Sequence, residues 1–232
     1  MNLPFLISVP HAGLMIPKEV QGICILTPEQ VIADGDEGAE EIYFDLEKYV
    51  ELFITSEIAR AIVDLNRATD DFRKDGVIKT HTCYDVPVYS EFPSKKLIDH
   101  LLSDYYHPYH QKLEKFTHSE NIKVGIDCHT MAAVGPPIGP DAGEKRPLVC
   151  LSHGDGTCPY EWLHKLAESF QKVFPDEQIK INKPFKGGYI IRTYSSDLPW
   201  LQIELSRTEH ISNIEKRDGV IKALNSWYNA NF

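Results

Sequence analysis

The sequence predicts one α/β domain over residues 1–232, built on a mixed and mostly parallel sheet flanked by helices. Three observations carry that reading. Continuous apolar runs of strand length, at residues 4–9, 123–131, 147–152 and 200–205, stop abruptly at polar or turn-forming clusters. Stretches with apolar residues at helical spacing lie between them, most clearly at 94–119 and 161–174. A chain of 232 residues that is 42% hydrophobic, with no internal repeat, low-complexity tract or linker, suits a single large core.

Composition then narrows the function. A formal charge of −10 argues against nucleic acid or an anionic membrane as partner, because both demand a positive field. No run approaches the roughly 18 apolar residues of a membrane helix. The opening residues lack a basic segment and a cleavage pattern, so they read as a first strand and not as a signal peptide. The five cysteines (Cys24, Cys83, Cys128, Cys150, Cys158) are odd in number, scattered and without a CxxC pair. Neither a disulfide framework nor a thiolate metal cage is indicated, and a reducing cytoplasm is the expected compartment. An acidic protein that takes a small anionic substrate must place arginines locally, so each arginine near a strand end matters.

Along the chain, the first strand stops at Pro10-His11-Ala-Gly13 and leaves His11 just past its end. Alone, His11 is a turn residue; with a second histidine at another strand end it becomes a metal ligand. Residues 33–40 read as the acidic start of a helix running to about residue 52. The helix dipole favours acids there whatever the function, while the functional alternative has Asp36 completing a two-histidine site. Residues 61–65 read as a second strand ending in Asp64, Asn66 and Arg67. The Asn-Arg pair offers an amide and a planar fork suited to a carboxylate, whereas the structural reading pairs Arg67 with Asp70 or Asp71. A polar loop follows to residue 89. Pro108 should kink or divide the helix at 94–119, with His107 and His110 in packing or surface roles.

The pivotal strand is Lys123-Val-Gly-Ile-Asp-Cys-His-Thr-Met131, which delivers an acid, a thiol, an imidazole and a hydroxyl where an open α/β sheet places its chemistry. His129 reads as a metal ligand once His11 partners it. Cys128 points to the opposite face and reads as core, which disfavours a Cys-His nucleophile pair. Asp127 reads as the hydrogen-bond partner of a ligand histidine, and Thr130 as a turn residue. The Gly/Pro-rich segment 132–146 is a candidate lid or binding loop. His153 and Asp155, in the glycine turn after the strand at 147–152, are expected near the site. Arg192 follows an apolar pair and must emerge towards something polar. Glu204 lies within an apolar strand, where an acid is costly unless paired or functional. A helix at 211–228 closes the chain.

Seven segments in order make the chain resemble the N-formylglutamate amidohydrolase family, whose fold is related to that of the zinc carboxypeptidases. They are Val9-Pro-His-Ala-Gly13, the acidic segment at Asp36, Val63-Asp-Leu-Asn-Arg67, Asp127-Cys-His-Thr130, Gly154-Asp-Gly156, Gly187-Gly-Tyr-Ile-Ile-Arg192 and Gln202-Ile-Glu-Leu205. The resemblance implies one Zn2+ held by His11, Asp36 and His129, with Glu37 the alternative to Asp36. It implies Glu204 as the catalytic acid-base and Asn66, Arg67 and Arg192 as the grip on a substrate carboxylate, Arg67 or Arg192 also facing the oxyanion. The implied reaction is hydrolysis of the amide of an N-acyl amino acid, N-formylglutamate to glutamate and formate. The alternatives are a zinc deacylase for another N-acyl amino acid or small amide, and an inactive small-molecule binding protein on the same scaffold.

Overall fold

The structure, a computed structural model, describes residues 2–232. Six strands, β1 (Leu3–Val9), β2 (Val50–Thr55), β3 (Val124–Met131), β4 (Val149–Ser152), β5 (Ile179–Ile181) and β6 (Trp200–Ser206), form one sheet in the order β2-β1-β3-β6-β4-β5. β2, β1, β3 and β6 are parallel, β4 runs antiparallel to β6, and β5 follows β4. This is the mixed, mostly parallel α/β sheet that the apolar runs predict. The helices are α1 (Pro28–Asp34), α2 (Ala39–Tyr43), α3 (Lys95–Leu101), α4 (His107–Thr117), α5 (Tyr160–Val173), α6 (Tyr189–Tyr194) and α7 (Asn213–Asn231).

Period-two alternation sorts each strand onto two cores. Phe5, Ile7 and Val9 of β1, Val124, Ile126 and Cys128 of β3, and Leu201, Ile203 and Leu205 of β6 pack against α5 and α7. Leu6 and Trp200 join the opposite core with Ile62, Val63, Leu65 and Tyr109. Cys128 is therefore core, as its parity predicts, and His129 takes the other face.

Two expectations are corrected in the first third of the chain. Residues 61–65 are irregular, with turns at 60–62 and 65–66, and the second strand is β2, where the sequence predicts a helix continuing to residue 52. After α2 the chain makes one 3-10 segment, Phe44–Lys48, and then pairs with β1, Leu6 opposite Leu52 and Ser8 opposite Ile54. Sheet pairing overrides the local helical pattern here. Ala61, Ile62, Val63 and Leu65 are fully buried all the same, and burial without strand geometry is what an apolar run alone cannot distinguish. The proline expectation holds: Leu102–Tyr106 widens into a π turn between α3 and α4, His107 N–H donating to the carbonyl of Leu102 just before Pro108. The consequence for the site is that the ends of β1, β3 and β6 lie side by side at one edge of the parallel strands, the edge at which such sheets bind ligands.

Candidate metal centre and its cavity

His11 is set by the end of β1, and Asp36 by the end of α1. Thr27 starts α1 with a capping box, its hydroxyl accepting from Gln30 N–H and the Gln30 side chain accepting from Thr27 N–H. The turn after α1 is then laid directly on the turn after β1, because Asp36 N–H donates to the His11 carbonyl at 3.1 Å. Thr130 is not in a turn, contrary to the sequence reading. It lies within β3, its N–H donating to Asp36 Oδ2 at 3.3 Å and its hydroxyl to the Glu37 carbonyl at 3.0 Å. These contacts bring Asp36 inward, while the Glu37 side chain is exposed at 62%.

One nitrogen of each of His11 and His129 and one Asp36 oxygen converge within 4.8 Å of one another, and all three residues are buried. Nδ1 of His129 is 2.9 Å and Nδ1 of His11 3.7 Å from Asp36 Oδ2. The far nitrogens are both held by carboxylates, His11 Nε2 by Asp64 Oδ1 at 2.8 Å and His129 Nε2 by Asp127 Oδ2 at 2.7 Å. A histidine that donates Nε2–H to a carboxylate presents the Nδ1 lone pair in a fixed direction, the usual arrangement behind metal-ligating imidazoles. Two imidazoles and one carboxylate, with two carboxylates orienting the imidazoles, could hold a divalent cation with nitrogen and oxygen ligands.

The charges are mutually dependent. Burial works to raise the Asp36 carboxyl, but His11 and His129 outweigh it and hold it far below the usual carboxylate range. Asp64 is likewise held low, burial being overcome by His11, Arg60 and Arg67. Burial opposes charge on His129, yet Asp127 and then Asp36 lift it well above an ordinary histidine.

A second layer fixes those carboxylates. Arg60 Nε donates to Asp64 Oδ2 at 3.1 Å, and the buried Lys79 lies 2.8 Å from Asp34 Oδ2 and 3.7 Å from Asp64 Oδ2. On the other side Ser8 Oγ donates to Asp127 Oδ1 at 2.7 Å, and Asn66 Nδ2 to Asp127 Oδ2 at 3.1 Å. Asn66 Oδ1 accepts from Ile190 N–H at 2.8 Å, so the whole Asn66 amide is committed within the protein. Its packing demands glycine at 188, where a Cβ would lie 2.3 Å from Asn66 Nδ2.

Glu204 stands directly across the β3–β6 ladder from His129 and is buried. Gln202 Nε2 donates to its Oε1 at 2.7 Å, and Gln202 is itself fixed by accepting from Gly188 N–H at 2.7 Å. Burial, with Asp36 and Asp127 adding and His129 and Arg60 opposing, pushes the Glu204 carboxyl up to about 7. A carboxyl so placed exchanges a proton readily at neutral pH.

His11, Asp36, Asn66, Arg67, His129 and Glu204 share a cavity of about 210 Å³. Arg192 is not on its wall. Its guanidinium donates to the carbonyls of Gly154 and Lys186 and pairs with Asp155 on the surface. Ile191 and Arg192 of α6 lie against Gly154, so the fork braces the glycine turn and does not enter the cavity. The same contacts take Asp155 away from the site, and His153 is engaged with Asn182 instead.

The family model for N-formylglutamate amidohydrolase matches residues 3–210. The chain belongs to this family. It is 25% identical to the N-formylglutamate deformylase of Pseudomonas putida, over 92% of this chain and 84% of the relative. The N-formylglutamate amidohydrolase structure from Ralstonia eutropha superposes with a TM-score of 0.75 at 17% identity, covering 98% of this chain and 91% of that one. A gene product of Agrobacterium tumefaciens does so with a TM-score of 0.75 at 16% identity, covering 98% and 90%. Both likenesses show the fold. Among the described residues, no helix of this amidohydrolase-family chain is long and apolar enough to cross a membrane.

The structure adds residues that sequence reasoning did not select for this amidohydrolase-family site: Gln202, Lys79, Arg60, Arg146 and Arg207 on the cavity wall, and Asp64 behind it. Gln202 carried a signal, lying two positions before Glu204 and hence on the same strand face. Thr27-Pro-Glu-Gln30 likewise announces α1, with a capping box and proline at the first turn. Lys79 and Arg146 sit in irregular loops, where no periodicity marks an inward side chain.

Proposed function

We propose that the chain is a zinc-dependent hydrolase that cleaves the amide of N-formylglutamate to glutamate and formate, with His11 Nδ1, Asp36 and His129 Nδ1 as the metal ligands. The observation that carries this reading is a two-histidine, one-carboxylate donor set with Glu204 directly across the ladder from His129, in a member of the N-formylglutamate amidohydrolase family. When bound, a divalent cation there supplies Lewis acidity towards a carbonyl and a lowered pKa for water.

The chain's own residues supply the rest. Glu204 takes a proton from the attacking water and returns it to the departing amine nitrogen, its Oε1 pinned by Gln202 throughout. Arg67, which pairs with Asp75 at 3.2 Å rather than with Asp70 or closely with Asp71, exchanges Asp75 for a substrate carboxylate and meets it with the planar fork that suits it. Asn66 serves the same grip indirectly, by fixing Asp127 and the start of α6. Arg192 acts from outside, holding the Gly154 turn to the Lys186 segment of the cavity wall. The free cysteines fit a cytoplasmic enzyme.

The test is a panel of N-formyl, N-acetyl and N-succinyl amino acids offered to protein of known metal content, with release of the free amino acid measured. Zinc-dependent release of glutamate and formate from N-formylglutamate is expected. Preference for another acyl group moves the reading to a different deacylase, and binding without turnover of any member overturns it.

A further inference from the structure

N-formylglutamate carries two carboxylates, and a protein of net charge −10 must offset both locally. Arg67 accounts for one under the proposed function, by exchanging its partner Asp75 for the substrate. Six cations line the cavity: Arg60, Arg67, Lys79, Arg146, Lys186 and Arg207. Most are already spent. Arg60 and Lys79 are committed to Asp64 and Asp34. Arg146 makes a two-point contact with Asp141, both distances 2.7 Å, and lies over the Phe185 ring. Lys186 is exposed and, among the described residues, its amine has no hydrogen-bond or ion-pair partner.

Arg207 differs from all of these, and from Arg67, whose Nε and Nη2 donate to the Asp75 carbonyl and carboxylate and whose Nη1 donates to the Asn66 carbonyl. It follows β6, its N–H donating to the Met131 carbonyl at 2.8 Å, which ties it to the end of β3. Nη1 is shared between the carbonyls of Ala33 and Gly35 at 3.3 Å each, so the guanidinium is anchored beside Asp36. Its nearest acid is the exposed Glu37, at 3.8 Å from Nη1. Among the described residues, Nε and Nη2 have no hydrogen-bond acceptor, although the side chain is only 16% exposed. A guanidinium held by one corner, with its Nε and Nη2 donors unspent, is a prepared receptor for a carboxylate.

We infer that Arg207 binds the second carboxylate of the substrate and thereby selects N-acyl derivatives of acidic amino acids over neutral ones. The inference rests on the proposed function, because it names the side chain that this hydrolase prefers. Arg67 and Arg207 divide the two carboxylates, and a neutral isostere leaves Arg207 unpaired.

The test compares kcat/KM for N-formyl-L-glutamate and N-formyl-L-glutamine in the zinc-loaded wild type, Arg207→Gln and Arg207→Lys, with metal content and circular dichroism measured on each. The wild type is expected to prefer the glutamate derivative. Arg207→Gln should lose about 10- to 100-fold on it, mainly through KM, while changing little on the glutamine derivative and retaining its zinc. Arg207→Lys should recover part of the loss, which separates charge recognition from a folding defect. Equal losses on both substrates, loss on neither, or a wild type that hydrolyses both equally would overturn the inference and leave the proposed function standing. A wild type that hydrolyses neither would overturn both.

Discussion

His11 Nε2 lies 2.8 Å from Asp64 Oδ1, a contact between residues 53 positions apart that aims His11 Nδ1 towards Asp36. Asp64 is itself held by Arg60 and Lys79, so it acts on the donor set without belonging to it. Asp64→Asn is expected to weaken zinc affinity by about 10- to 100-fold. Competition with a chromogenic chelator measures this, and wild-type affinity in the variant would remove Asp64 from the support of the site.

Glu204 should be dispensable for the metal and necessary for turnover. Glu204→Gln is expected to keep zinc, by elemental analysis, while kcat falls by about 10²- to 10⁴-fold. The pH profile follows from the carboxyl being pushed up to about 7 by burial first and then by Asp36. A base works only when ionised, so kcat/KM should fall as pH drops through about 7, and a bound cation can only move that limb lower. Near-normal activity in the Gln variant would exclude Glu204 from proton transfer.

Asp34, behind the cavity wall, and Lys79, on it, form a buried pair at 2.8 Å. Lys79→Met leaves the Asp34 carboxylate uncompensated and should cost about 3–5 kcal/mol of stability at neutral pH. Replacing Asp34 by Leu in the same chain should recover much of that loss. Burial alone would raise the Asp34 carboxyl, but Lys79 and Arg60 bring it below its usual value. Its contribution is therefore present above the ordinary carboxylate range and lost as pH falls through the depressed one. Urea denaturation of the single and double variants reads both effects; an additive double variant would mean the two residues do not interact.

His110 should contribute to acid lability. Its Nε2–H donates to the Leu65 carbonyl at 2.9 Å and Nδ1 faces Tyr194 Oη at 2.8 Å. Burial depresses it to about 4. The folded protein thus refuses a proton that the unfolded chain accepts near 6.5. The resulting stability is complete above about 6.5 and disappears as pH falls through about 4, roughly 3 kcal/mol in total. His110→Gln should flatten the stability curve across that window, and an unchanged slope in denaturation at pH 7, 6, 5 and 4 would contradict it.

The parts of the site that could be read in advance share one property. His11, His129 and Glu204 sit at or near ends of apolar runs, and strand alternation is local enough to assign their faces, with Cys128 as the control on the opposite side. Thr130 was misread because the end of β3 depends on its neighbour: the ladder to β6 extends to Met131 opposite Ser206. The exchange of β2 for residues 61–65 has the same origin, since both segments are apolar and only pairing with β1 distinguishes them.

The sequence by itself determined the α/β class, most strand positions and the residue types that could bind a metal, because period, turn chemistry and composition act over a few residues. Tertiary structure decided which charges do what. It turned Arg192 onto the Gly154 turn and left Arg207 beside Asp36 with donors unspent. It also set Asp64 behind His11, with Lys79 buried between two acids. An ionised side chain takes its role from the counter-charge and burial around it, and those come from segments that meet only when the sheet has formed.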